Sequence, residues 1–233
     1  MKAYFSVDVE QDCPPYLNTW RGIEEGLPRL LALLAEEDVR GTFFTTGEVA
    51  RKYPSFVQSI VDGGHELGCH GDLHRNFGTL DARESEIEIA RSSETLRAFA
   101  PVTSFRAPYL TFPREYVPLL AKYGYRLDSS EGRHKNFRAT VHEDEGVLRV
   151  PASVTSSTLR WPSAPRNALL SRLREPAVLF VHPWEFVDFR RERLRFDCRF
   201  RTGDMALACV RSALRLLKAH GATFDVMREY SAS

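Results

Sequence analysis

The stretch His65-Glu66-Leu67-Gly68-Cys69-His70-Gly71-Asp72-Leu73-His74 holds two imidazoles four residues apart, at His70 and His74. A helical turn after Gly71 would point both rings the same way, which is how a pair of histidines grips one cation. Glu66 and Asp72 stand close enough in sequence to fix the ring tautomers. Taken alone, an H-x-x-x-H is more simply two surface histidines in an acidic loop. The case is strengthened by Asp8, Glu10 and Asp12, which follow the apolar run Ala3–Val7. On an extended backbone Asp8 and Glu10 project to one side while Val9 points into the packing. Any of the three acids could complete a site with the histidines. Further apolar runs deliver Arg106-Ala107-Pro108-Tyr109, Asp128-Ser129-Ser130 and Leu179-Phe180-Val181-His182. Trp184, beside His182, either walls a pocket or belongs to the core. Cys13 reads as an incidental thiol, and His65, His134, His142 and His220 as ordinary histidines.

The elements that must position these residues alternate in type. Strands are expected at 3–9, 41–45, 65–70, 102–107, 177–181 and 223–227, with Tyr125–Ser130 following Gly124 in the same manner. Helices are expected at 24–37, around 56–61, at 81–99, 116–123, 167–174 and 205–219. Such alternation predicts parallel strands with helices outside, and carboxylates at strand C-termini lie where those sheets place their chemistry. The segment 129–166 reads as irregular loops covering the site, with a hairpin around Glu145-Gly146. No linker or shift in composition divides residues 1–233, so a single catalytic domain is expected.

The chain has 233 residues, 43% of them hydrophobic, enough to bury a substantial core. Lys and Arg number 32 against 31 Asp and Glu, a net charge of +1, which argues against nucleic acid as a partner. The basic run Arg190, Arg191, Arg193 and Arg195 reads as a solvated face, with contact to a lipid phosphate as its weaker reading. Four cysteines without C-x-x-C spacing fit reduced thiols. No apolar signal segment or membrane-length run is present, so a cytoplasmic location without an integral membrane segment is expected.

In order and spacing, the set Ser6-Val7-Asp8-Val9-Glu10, His70-Gly71-Asp72-Leu73-His74, Arg106-Ala107-Pro108-Tyr109, Asp128-Ser129-Ser130 and Leu179-Phe180-Val181-His182 resembles the five motifs of the polysaccharide deacetylase (NodB-homology) family. They run from residue 6 to 182, most of the chain. The resemblance implies an α/β fold, a distorted and often incomplete (β/α) barrel. It also implies one divalent metal, zinc in the first instance, with cobalt, manganese or nickel as alternatives.

By the same resemblance Glu10, His70 and His74 are the metal ligands and Asp8 the general base. The family's usual adjacent aspartates are replaced here by Asp-x-Glu, which leaves the choice among Asp8, Glu10 and Asp12 as ligand open. Arg106 resembles the arginine that pairs with the base, and Asp128 the acid that orients His182. His182 resembles the acid that protonates the leaving amine. Tyr109 takes the position whose backbone N–H meets the oxyanion, and Trp184 is added as a substrate contact. These roles suit amide hydrolysis, which needs a Lewis acid, a base for water and a proton for the nitrogen.

The implied activity is removal of an N-acyl group, acetyl or formyl, from an amino sugar or glycan precursor. Trp20-Arg21-Gly22-Ile23-Glu24-Glu25-Gly26-Leu27-Pro28-Arg29-Leu30-Leu31 resembles the corresponding segment of lipid-linked aminoarabinose deformylases, so a lipid-linked substrate is among the expectations, and an oligomer is left open. The alternatives are an allantoinase-like hydrolase of ureides or cyclic amides, and a non-catalytic barrel that binds glycans.

Overall fold

Strand β1, Lys2–Val9, is buried on both of its faces from Ala3 onward. Ala3, Phe5, Val7 and Val9 join the large core beneath the helices. Tyr4 belongs to a second cluster with Phe44, Leu127, Val178 and Phe180. A strand buried on both sides needs a layer on each, which a curled parallel sheet with outer helices supplies. The computed structural model describes residues 1–231.

Eight further strands follow: β2 (Gly41–Thr45), β3 (Glu66–Cys69), β4 (Ser104–Phe105), β5 (Leu127–Asp128), β6 (His142–Asp144), β7 (Val147–Arg149), β8 (Ala177–Val181) and β9 (Thr223–Asp225). Their order is β6-β7-β5-β4-β3-β2-β1-β8, with β9 against the start of β1. Every pairing is parallel except the β6–β7 hairpin. That hairpin turns at Glu145 and Gly146, both at positive φ, as expected of a tight two-residue turn.

The helices are α1 (Leu27–Glu36), α2 (Gly47–Lys52), α3 (Pro54–Asp62), α4 (Ala82–Arg97), α5 (Val117–Lys122), α6 (Ser156–Leu159), α7 (Ser163–Leu170), α8 (Phe196–Arg199) and α9 (Asp204–Ala219). A capping box at Asp81 and Glu84 starts α4, satisfying donors that the first turn would leave unpaired.

The sheet does not close on itself. Between β7 and β8 the chain passes as an irregular strap, where the Ser153 N–H donates to the Val178 carbonyl at 2.8 Å. Ser153 Oγ accepts the Val178 N–H in return at 2.9 Å. Ala152 in the same strap bridges to Gly132. The architecture is thus the expected α/β barrel, distorted and incomplete.

Several boundaries differ from expectation. The first helix is preceded by a π-helical turn, Gly22–Gly26, so that α1 proper begins at Leu27 with Pro28 in its first turn. The helix expected at 167–174 runs instead from Ser163 to Leu170, with Pro165 in its first turn, where a missing N–H costs no intrahelical bond. The fourth strand keeps only Ser104 and Phe105. Segment 129–166 carries the expected hairpin as β6 and β7, but α6 and the start of α7 stand where only irregular loops were expected. Among the described residues no helix is long and apolar enough to cross a membrane.

Candidate metal centre and active site

Period-two alternation sorts each strand's residues between the two cores. Phe43, Leu67, Cys69, Phe105, Leu179 and Val181 lie in the helix-side core, whereas Phe44, Val178 and Phe180 lie inside the barrel. Continuing the inward series one step past each strand gives Glu10 after β1, His70 after β3, Arg106 after β4 and His182 after β8. Parallel pairing puts these four ends on one rim, where Asp8, Glu10, His70, His74, Tyr109, His182 and Trp184 line a cavity of about 400 Å³.

At its centre the Glu10 Oε2 stands 2.5 Å from His74 Nε2 and 3.3 Å from His70 Nε2. One donor atom from each of the three residues lies within 4.8 Å of the others. His70 Nδ1 is 2.6 Å from the Arg106 carbonyl, so its N–H is committed there and Nε2 is left to bind. Two imidazoles whose Nε2 atoms face one carboxylate form a donor set that fits a divalent cation such as zinc. Burial raises the Glu10 pKa, but His74 and His70 outweigh it and hold the carboxyl well below the usual range. Glu10 therefore sits there as a carboxylate.

His74 reaches this point by another path than a helical turn. Residues 70–76 form an irregular loop, with Gly71 at φ 74° and His74 at φ 54°. Glu88 anchors the loop by accepting the N–H groups of Asp72 and Leu73, each at 2.9 Å. The acids expected to fix the ring tautomers do other work. Asp72 pairs with Arg51 at 2.6 Å, and Glu66 accepts from Thr42 and Ser104 beneath the site.

Asp8 faces the buried Arg106 guanidinium, Oδ1 to Nη1 2.7 Å. That guanidinium also donates to Ser6 Oγ at 2.8 Å and to Ser129 Oγ at 3.0 Å, and it lies 4.3 Å from the Phe44 ring centroid. Asp12 is drawn away from the histidines: its two oxygens accept from Thr19 Oγ at 2.7 Å and the Gly22 N–H at 2.8 Å. Of the three acids left open by the sequence, Glu10 alone is the one brought to the histidine pair.

Asp128 does not reach His182. Leu127 points into the barrel, so Asp128 is turned to the opposite face of β5, where the register sets Arg149 beside it. The Arg149 Nε lies 2.6 Å from Asp128 Oδ2, and Ser130 caps the other oxygen. The carboxylate that meets His182 is Glu185, one turn further along the chain, with Oε1 3.0 Å from Nδ1. His182 Nε2 stands 3.9 Å from Glu10 Oε1, and Trp184 stacks on the imidazole at 4.9 Å and 20°. Burial lowers the His182 pKa, yet Glu185, Glu10 and Asp8 together raise it to about 9. A cation held by Glu10 would offset that residue's share and leave Glu185 as the main support.

Tyr109 adopts φ 60° and ψ 11° just after Pro108, and its ring packs edge-on against His74 at 4.8 Å. It lines the cavity together with His134, which reads in the sequence as an ordinary histidine. Ser6, Ser129, Arg160 and Glu185 were likewise not identified. The i,i+3 spacing of His182 and Glu185, that of a capping box, was the available signal for the last of these. In the segment Gly22–Gly26, a Cβ on Gly26 would meet the Pro183 carbonyl oxygen at 2.1 Å, and one on Gly22 the Trp184 nitrogen at 2.6 Å. The segment thus backs the turn that carries His182, a structural service independent of any particular substrate.

A family model described as Polysaccharide deacetylase matches residues 12–127. A peptidoglycan deacetylase of Helicobacter pylori is 34% identical over 110 residues, covering 46% of this chain and 37% of the relative. The chain spans half or less of the length of the curated relatives it matches. Among solved structures, a putative polysaccharide deacetylase from Mycobacterium smegmatis superposes with a TM-score of 0.70 at 20% identity, covering 99% of this chain and 94% of that one. A CE4-family pseudoenzyme from Bacillus anthracis superposes with a TM-score of 0.67 at 18% identity, covering 98% and 64%. The shared fold is therefore compatible with turnover and with its loss, and the side chains at the rim must decide between them.

Proposed function

Because the chain belongs to the polysaccharide deacetylase family, we propose that it hydrolyses the N-acyl group of an amino sugar in a glycan or glycan precursor, with a divalent cation as cofactor. One observation carries the reading: a Glu10, His70, His74 donor set flanked in a single cavity by the Arg106-paired Asp8 and by His182.

Glu10, His70 and His74 would hold the cation, with zinc the first choice for a carboxylate and two imidazoles. When bound there it supplies a Lewis acid that polarises the acyl carbonyl and makes water acidic near neutral pH. Asp8, held in place by its ion pair with the Arg106 guanidinium, accepts the proton of the attacking water. The Tyr109 backbone N–H is the candidate donor to the oxyanion. His182, with Nε2 toward the cavity, delivers a proton to the nitrogen as the C–N bond breaks, since an amide anion is too basic to leave unaided. Trp184 fixes one face of that imidazole and closes the pocket behind it.

An amine-release screen of the zinc-loaded protein tests this reading, using N-acetylated chitooligosaccharides, peptidoglycan fragments, N-formylated amino sugars and ureides. Amine is expected from the N-acyl sugars. Release only from ureides would replace the sugar reading, and glycan binding without any release would make the protein a binding module.

A further inference from the structure

We infer that Glu185 is the positioning residue for His182 and that Arg160 in turn positions Glu185, a role for which Asp128 is on the wrong face of its strand. The inference rests on the deacetylase reading above for what His182 does, but its geometry stands independently. One oxygen of Glu185 serves His182 twice, accepting the backbone N–H at 2.8 Å and lying 3.0 Å from ring Nδ1. Backbone and imidazole are thereby referred to a single atom, and the ring cannot rotate without losing a bond. A carboxylate on Nδ1 holds the proton at that nitrogen, which leaves Nε2 as the atom presented to the cavity.

The second Glu185 oxygen lies 2.7 Å from Arg160 Nε, in an ion pair whose two side chains are each 1% exposed. Arg160 is itself anchored at both ends of its fork, to the Phe200 carbonyl and to the Asp197 carbonyl at 2.7 Å. Its permanent charge keeps Glu185 ionised against the cost of burial, and so an acceptor rather than a donor. Pro183 and Trp184 lie between histidine and glutamate in one tight turn, so the pair moves as a unit. Trp184 closes the remaining side by stacking. Asp128, by contrast, is bound to Arg149 and Ser130 and belongs to the support of β5.

The test compares Glu185→Ala, Glu185→Gln and Asp128→Asn in the zinc-loaded protein. The substrates are an N-acetyl amino sugar that the wild type cleaves and an activated aryl ester of the same acyl group. The ester's leaving group needs no proton, so it reports on everything except the action of His182. Glu185→Ala should lower kcat for the amide about 10- to 100-fold with KM unchanged, while ester cleavage is nearly unaltered. Glu185→Gln retains an acceptor oxygen and should recover part of the loss. Asp128→Asn should leave the amide-to-ester ratio where it was. NMR of the histidine-labelled protein gives a readout that does not depend on turnover. The wild type should show a slowly exchanging, downfield Nδ1–H signal that Glu185→Ala abolishes and Asp128→Asn keeps. Equal loss on both substrates in a folded Glu185→Ala protein, or a signal lost only with Asp128→Asn, would overturn the inference. If the wild type cleaves no amide, the deacetylase reading fails, and the NMR signal alone then upholds or rejects the positioning of His182.

Discussion

At the scale of single residues, the charge proposed for catalysis and the charge that holds the structure are joined so closely that one cannot be removed without the other. Asp8 is the counter-ion of a guanidinium buried between Phe44 and Phe180. Asp8→Asn should reduce amide turnover by at least about a hundredfold, as loss of a general base does. It should also cost about 3 kcal/mol of stability, since it leaves the buried Arg106 charge without its counter-ion. Denaturant unfolding alongside kinetics separates the two effects, and a variant with full activity would remove Asp8 from the mechanism. Away from the site, burial and then the nearby Arg40 hold the His65 pKa down to about 4 against an ordinary 6.5. Its neutral Nδ1 accepts the Gly41 N–H at 3.1 Å. A folded-state pKa below the unfolded one means that protonation favours unfolding. This contribution is therefore complete above pH 6.5 and shrinks as pH falls toward 4, by on the order of 2 kcal/mol. Urea midpoints measured across that range should fall for the wild type and fall less for His65→Gln. The facing of the site residues was legible in the sequence because strand periodicity sets it: Asp8, Glu10, His70, Arg106 and His182 each end an apolar run. The roles proposed for them come from the family resemblance. Glu185 was not legible, because an acid after Pro-Trp reads as an ordinary helix-starting residue.

At the scale of elements, what the sequence concealed was the path of loops and the facing of a very short strand. A two-residue strand such as β5 has no periodicity to read, so nothing in Leu127-Asp128 announces that the leucine takes the inner face. Only pairing with β7, which sets Leu127 beside Leu148 and Asp128 beside Arg149, decides it. The loop after β3 was hidden for a similar reason. Its course depends on Glu88, a helical residue distant in sequence, and on left-handed backbone at Gly71 and His74. The π-helical turn before α1 offers a direct test of how one element holds another. Gly26→Ala places a methyl group against the Pro183 carbonyl, so the turn bearing His182 and Glu185 must shift. A loss of about 1–3 kcal/mol is expected from such overpacking, with amide turnover impaired while the zinc content is retained. Unchanged melting temperature and activity would show that the two turns slide apart without consequence.

At the scale of the whole molecule, two segments distant in sequence, the end of β1 and the loop after β3, meet at the proposed cation site, so ligand binding and global stability should be linked. A cation that binds only the folded state adds about 2.7 kcal/mol when free metal exceeds its Kd a hundredfold. Zinc should accordingly raise the melting temperature of the chelated protein, and the His70→Ala/His74→Ala double variant should not respond. An equal rise in that variant would place the binding elsewhere. The pairing of β1 has a consequence of another kind, in time rather than in space. This strand carries Asp8 and leads directly into Glu10, yet Phe5 pairs with Leu179 and Lys2 with Thr223. Contacts of such sequence separation form slowly, because a long loop must close before they are gained. As the chain leaves the ribosome, β1 can find β2 and β3 early and bring the cation ligands together, while the flank that β8 will occupy stays bare. The partial assembly has an exposed strand edge until His182 arrives, which is the condition under which chains stick to one another. The residues proposed for hydrolysis thus become a complete set only once β8 and His182 have been made, and a nascent chain holding Glu10, His70 and His74 would still be without His182.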